Sequence, residues 1–268
     1  PRLASGEALG AFAVYEHGPT PGVGPDALMA TRVQGGWMLK GTKAFVRNAG
    51  QAKILVVSAC FDPAAGAKGL AVFLVPATAP GLTVGAKAET MGLKGCPVAD
   101  LHFDGVRLQE ENLLGALPDG TTIVEETLAA ASVAEAAQAV GIAEAALEHA
   151  SAYAKTRIQF GRPIATFQAI QTMLAETATD CHLARLGLRV AAERLEAGKP
   201  FRLEAAMVKA FLARVGSRMV VDTVQVEGGF GYSEYLPLPR LFRDMAGSTL
   251  LEAPGQYPDG TIASALLA

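Results

Sequence analysis

"GALPDGTTIVEETLAAASVAEAAQ", residues 115–138, is where the chain changes character. Up to Gly120 the sequence is punctuated by Gly, Pro and Asp, the residues that supply turns. From Thr121 it becomes Ala-rich, with apolar residues recurring at three and four and few β-branched clusters until Val220, which is the period of helices that bury one face. An α+β chain follows: an N-terminal antiparallel β-barrel or sandwich domain over residues 1–115, then a C-terminal antiparallel four-helix-bundle-like domain over 116–268.

Toward the N-terminus, "LMATRVQGGWMLKGTKAFV" reads as a hairpin with Gly35-Gly36 at its turn, and "ILVVSACF", "LAVFLVPA" and "ADLHFDGVRL" read as further strands. Toward the C-terminus, helices are predicted near residues 121–155, 163–197 and 203–226. Pro163 is placed as the first-turn proline of the second, which stops at Gly198. At 1.5 Å per residue the first two span ~50 Å each, and their short connection makes them antiparallel neighbours.

The bulk numbers narrow the function classes. With 268 residues, half of them hydrophobic, and a net charge of -3, the composition is that of a soluble globular protein. Basic residues are scattered and do not interleave with aromatics, so no nucleic-acid partner is expected. Cys60, Cys96 and Cys181 lie far apart without a CxxC pair, which suggests neither a disulfide framework nor a zinc site and fits a reducing, cytoplasmic location. His17, His102, His149 and His182 have no ligand spacing and are read as surface or structural residues, so no metal site is predicted. The longest apolar runs are broken well before twenty residues, so no membrane span is expected, and the N-terminus has no signal-peptide pattern. The chain opens on Pro1 without an initiator methionine, so a preceding segment is expected.

Three clusters carry candidate chemistry. "TRIQFGRPIATFQAIQ", residues 156–171, has a plain reading as a helix junction, in which Gly161 ends one helix, Pro163 starts the next, and Phe160 and Phe167 pack as a staple. It has a second reading as an anion site, since Arg157 offers a fixed fork for a phosphate oxygen and the helix N-terminus adds its dipole. "QVEGGFGY", residues 225–232, ends the third helix in a Gly-rich loop, either a plain C-cap or a place where backbone meets phosphate or ribose. In "RLFRDMAGSTLLEAPGQ" the acid Glu252 is flanked by Leu250, Leu251, Ala253 and Pro254, and an apolar setting raises a carboxyl pKa and suits a general base.

In this order and on this background the clusters resemble the acyl-CoA dehydrogenase family. Its Arg-x-x-Phe-Gly-x-Pro-Ile pattern and the Phe-Gln helix start fall on Arg157, Phe160-Gly161, Pro163-Ile164 and Phe167-Gln168. Its Gln-x-x-Gly-Gly-x-Gly-Tyr pattern falls on Gln225, Gly228, Gly229, Gly231 and Tyr232, and its Arg-Asp with a catalytic glutamate eight residues after the Asp falls on Arg243, Asp244 and Glu252. "GTKAFVRN", "MGLKG" and "FDGVRL" look like parts of the family's middle domain, and the likeness runs from Leu3 to Leu267. The resemblance implies a flavoenzyme of fatty-acid β-oxidation that binds FAD, dehydrogenates an acyl-CoA thioester with Glu252 as base, and passes electrons to an electron-transfer flavoprotein. It implies that Arg157, Phe160, Gln168, Gln225, Gly228 and Gly229 contact a neighbouring subunit's FAD, so a homo-oligomer such as a homotetramer, or a heteromer with a paralogous subunit, is expected. Gln256 stands where the family places a flavin-contacting glutamine, and an ordinary turn residue is the other reading.

Some positions depart from the pattern. Tyr15-Glu16-His17 stands for Thr-Glu-Pro, Phe45-Val46-Arg47-Asn48 for Trp-Ile-Thr-Asn, Ser132 for an arginine in the first long helix, and Ala253-Pro254 for Gly-Thr. This asymmetry between the two sides of the flavin site fits a supporting subunit of a heteromeric dehydrogenase. A related flavin oxidase or monooxygenase is a third reading. The family's N-terminal helical domain, about a hundred residues, is expected to precede Pro1 or to come from another chain. The family's helix after the glutamate is expected to be interrupted by Pro258-Asp259-Gly260.

Overall fold

The computed structural model describes residues 2–17, 26–250 and 256–267, and the side chains of all these except Pro118, Thr249, Leu250, Gln256 and Tyr257. The chain divides into two compact units, one of residues 1–90 and 94–126, the other of residues 91–93 and 127–268.

The first unit is a curled sheet of seven strands, a β half-barrel: β1 Gly10–Ala13, β2 Met29–Val33, β3 Gly36–Arg47, β4 Ile54–Cys60, β5 Leu70–Pro76, β6 Leu82–Val84 and β7 Val98–Gln109. The order is β1-β4-β2-β3-β7-β6, with β5 on β4. The β2–β3 hairpin turns at Gln34-Gly35, and Gly36 pairs back with Val33. Most pairings are antiparallel, while β1 runs parallel to β4 and β2 meets it in parallel through Met29 and Cys60. Alternation along β3 and β7 sends Trp37, Leu39, Leu101 and Phe103 inward, where Trp37 meets Phe73 edge-on at 5.5 Å. The inward phase of β7 shifts at Gly105, whose φ of +68° forms a bulge, so that Phe103 and Val106 both face the core.

The second unit is built on α1 Gly120–Thr156, α2 Gln168–Glu196, α3 Arg202–Glu227, α4 Leu238–Leu250 and α5 Gln256–Leu267. Along α1 a stripe of buried alanines, Ala136, Ala139, Ala143 and Ala146, repeats at three and four and admits Cys181 and Ala184 of α2, Val208, Leu212 and Met219 of α3, and Leu238 and Met245 of α4. Among the described residues no helix is long and apolar enough to cross a membrane.

Two local expectations are corrected. The second long helix starts at Gln168 and not at Pro163; the first ends at Thr156, within a residue of its predicted end, so Gly161 is not what stops it. Between them β8 Ile158–Gln159 pairs with β9 Arg162–Pro163 around Phe160 (φ +52°) and Gly161 (φ +76°). Two successive left-handed residues make the tight reversal of a β-hairpin, so the glycine turns a ribbon and caps no helix. Secondly, α5 runs unbroken through Pro258 and Gly260, because a proline in the first turn costs no intrahelical hydrogen bond.

Candidate functional site

One end of the helical unit holds an open cavity of about 730 Å³. Its walls come from the last turn of α1 (Tyr153), the β8–β9 ribbon (Arg157, Phe160), the start of α2 (Phe167, Ile170) and the loop after α3 (Gln225, Gly228, Gly229, Phe230, Tyr235). The ribbon is what gathers these groups. Phe160 packs edge-on to Phe167 at 6.1 Å, the Ile164 N–H donates to the Arg157 carbonyl at 2.9 Å, and the Arg157 guanidinium lies 5.7 Å from the centre of the Phe230 ring. The cation thereby lies beside an exposed aromatic wall, and among the described residues no ion pair claims its forked donors.

The two glycines ending α3 differ in kind from the third. A Cβ on Gly231 would come 2.6 Å from the Val224 carbonyl and 2.9 Å from Glu227 Cβ, so packing alone demands glycine there. A Cβ on Gly229 would meet nothing within 4 Å, and Gly228 (φ +59°) is equally open, so both leave bare backbone on the cavity wall. Such a wall admits a phosphate or a sugar to hydrogen-bonding distance of main-chain N–H groups.

Five of the residues singled out in the sequence, Arg157, Phe160, Gln225, Gly228 and Gly229, thus meet at one cavity. Gln168 is exposed as the first residue of α2 and is not part of the wall. Glu252 lies outside the described residues, and Gln256 is described only as the first residue of α5. Tyr153, Phe230 and Tyr235 were not singled out, although the quoted "QVEGGFGY" contains Phe230 as its aromatic between glycines.

The sequence matches the families described as acyl-CoA dehydrogenase, middle domain, over residues 20–106 and acyl-CoA dehydrogenase, C-terminal domain, over residues 118–267. It is 40% identical over 269 residues to an acyl-CoA dehydrogenase of Bacillus subtilis (strain 168), covering 100% of this chain and 70% of that protein. The chain belongs to the acyl-CoA dehydrogenase family. Butyryl-CoA dehydrogenase from Megasphaera elsdenii superposes with a TM-score of 0.94 at 35% identity, covering 100% of this chain and 70% of that one. The FAD complex of PigA superposes with a TM-score of 0.92 at 26% identity over 99% of this chain and 70% of that one.

The positions at which this acyl-CoA dehydrogenase family member departs from the pattern have distinct environments. Ser132 is buried in α1 and donates its hydroxyl to the Leu128 carbonyl at 2.9 Å, so its polarity is spent within its own helix. In the β unit, Tyr15-Glu16-His17 and Phe45-Val46-Arg47-Asn48 lie side by side: the Ala44 N–H donates to the Tyr15 carbonyl at 2.8 Å, and the His17 and Phe45 rings meet edge-on at 5.8 Å. Behind them Lys43 is wholly buried, donating to the Val14 carbonyl at 2.8 Å, to Ser58 Oγ at 3.0 Å and to the Glu16 carboxylate. Burial pushes the Lys43 ammonium down to about 8, with Glu16 opposing the shift. In the helical unit the Arg-Asp pair is structural. The Asp244 carboxylate accepts the Leu93 N–H at 2.7 Å, and Arg243 pairs with Glu234 at 2.7 Å. His149 at 2.6 Å from the buried Glu227 carboxylate ties α1 to the end of α3, one residue before the Gly228-Gly229 backbone.

Proposed function

We propose that this chain is an FAD-dependent acyl-CoA dehydrogenase that introduces an α,β double bond into an acyl-CoA thioester. The observation that carries the reading is the convergence of Arg157, Phe160, Gln225, Gly228 and Gly229 on one open cavity in a chain of this family. Arg157 supplies a cation for a phosphate oxygen, Gly228 and Gly229 supply approachable backbone, and Phe160 and Phe230 supply apolar walls. These groups suit a dinucleotide cofactor such as the FAD that family relatives bind. When bound, the flavin supplies the acceptor for hydride from the substrate's β-carbon.

Glu252 is proposed as the base that takes the α-proton. That proton is weakly acidic, so its removal needs a positioned carboxylate, the group that Glu252 brings at the family's spacing. Gln168 and Gln256 are assigned to cofactor contact by their motifs alone. An electron-transfer flavoprotein is the expected acceptor, and assembly with a second subunit, identical or paralogous, is expected.

A supporting-subunit reading is favoured by Ser132, whose hydroxyl is consumed by Leu128 and offers nothing to a thioester. One experiment separates the two. Anaerobic titration of the purified protein with short acyl-CoA thioesters, followed at the visible flavin band, should bleach the band, and Glu252→Gln should abolish bleaching while flavin stays bound. A protein that holds flavin only after a paralogous chain is added would replace the enzyme with the supporting subunit.

A further inference from the structure

Among the residues lining the cavity, Glu227 stands where helix physics disfavours a carboxylate. It is the last residue of α3, and a helix C-terminus gathers unsatisfied carbonyls that repel negative charge. Its side chain is wholly buried, and Oε2 has no hydrogen-bond partner among the described residues. The cost of taking that charge out of water therefore falls on one partner, His149 of α1, whose Nδ1 lies 2.6 Å from Oε1. An apolar pair of similar size would pack there without that cost, so stability gives no reason for the arrangement.

What the pair adds is direction. His149, Tyr153 and Arg157 follow at four-residue spacing on one face of α1 and its continuation, since the Arg157 N–H still donates to the Tyr153 carbonyl at 2.9 Å. Tyr153 and Arg157 both line the cavity. Glu227 is followed directly by the bare backbone of Gly228 and Gly229, and the loop returns so closely that a Cβ on Gly231 would meet Glu227 Cβ at 2.9 Å. Whatever fixes Glu227 therefore fixes that backbone. The neighbouring apolar cluster joins Val226 to Ala150 and Ala154, whose methyl groups do little to hold α3 in register, because apolar packing is non-directional. A hydrogen bond to a carboxylate has a preferred distance and angle.

We propose that His149 and Glu227 are positioning residues that clamp the end of α3 to α1. Their hydrogen bond sets the Arg157 guanidinium and the Gly228–Gly229 backbone at the separation that lets one diphosphate engage both. The inference rests on the proposed function, in which the cavity receives a dinucleotide.

The test titrates ADP-ribose, which carries the diphosphate, and adenosine, which lacks it, calorimetrically into the flavin-free full chain. In the double variant His149→Leu with Glu227→Leu, ADP-ribose should bind about tenfold more weakly, the worth of one such hydrogen bond. Adenosine affinity should be unchanged and the urea midpoint no lower than that of the wild type. A merely structural tie cannot weaken binding while leaving stability intact. His149→Ala should show the same selective loss, and His149→Gln, whose amide N–H can donate to the carboxylate, should recover most of it. Wild-type ADP-ribose affinity in the double variant, or equal affinity in His149→Ala and His149→Gln, would overturn the clamp and leave the proposed function standing. Parallel loss of both ligands with a lower midpoint would reduce the pair to a structural tie. A wild type that binds neither ADP-ribose nor FAD would remove the dinucleotide reading of the cavity, and the clamp with it.

Discussion

Lys43 is the residue whose placement is least expected from its chemistry: a strand of a half-barrel carries its ammonium inward, where no side-chain surface reaches water. Three partners make this tolerable, since Val14 O, Ser58 Oγ and the Glu16 carboxylate account for all three ammonium protons. Its pKa falls from 10.5 to about 8, so between these values the unfolded chain binds the proton that the folded one has released. Stability therefore rises with pH through that window and is flat with respect to this group below it. Urea denaturation of the wild type at pH 7.5 to 10.5, compared with Lys43→Met, should show an upward slope that the variant lacks; parallel slopes would mean that Lys43 is not shifted. Glu16→Ala, which leaves the ammonium without its counter-charge, should cost about 3–5 kcal/mol at neutral pH.

At the scale of elements, Met91-Gly92-Leu93 and α4 are joined where the sequence only hinted at a link. The "MGLKG" and Arg-Asp stretches looked like family signatures, yet spacing gave them no common purpose, because they lie some 150 residues apart. In the fold a Cβ on Gly92 would stand 2.1 Å from the Arg243 carbonyl, and the next N–H is held by Asp244. Asp244→Ala should lower stability by about 1 kcal/mol, the cost of leaving a half-buried N–H donor without its carboxylate, and Gly92→Ala by at least as much, both read from denaturant midpoints. The same contrast explains what was legible. Long periods of alanine and short alternating runs fix helices and strands locally, so both architectures and five cavity residues could be read from the sequence. The β8–β9 ribbon could not, since "RIQFGRPI" offers a glycine and a proline that serve equally for a cap or for a hairpin. Its two positive φ values accompany the pairing of Ile158 with Pro163 and of Gln159 with Arg162, which no periodicity announces. A bulge between β3 and β7 at Phe45 was likewise hidden, because it depends on Asp100 across the sheet and leaves the hydrophobic alternation almost intact.

For the whole molecule, the cavity of the helical unit is bordered by aromatic rings left to solvent in the single chain: Phe160 is 92% exposed, Tyr235 93%, and the nearby Tyr232 86%. Rings so exposed beside a cation and bare backbone gain most if another surface closes over them. Under the proposed function that surface belongs to a second subunit whose cofactor the cavity completes, which makes flavin binding and assembly one equilibrium. Dilution should then release flavin and dissociate the assembly over the same concentration range, as followed by flavin fluorescence and sedimentation velocity. Phe160→Asp combined with Tyr235→Asp should shift both transitions together to higher protein concentration by at least about tenfold, because each buried charge opposes closure, while the helical circular dichroism of the chain is unchanged. Flavin retained by a fully dissociated chain would separate the two events and place the cofactor's whole binding energy within one subunit.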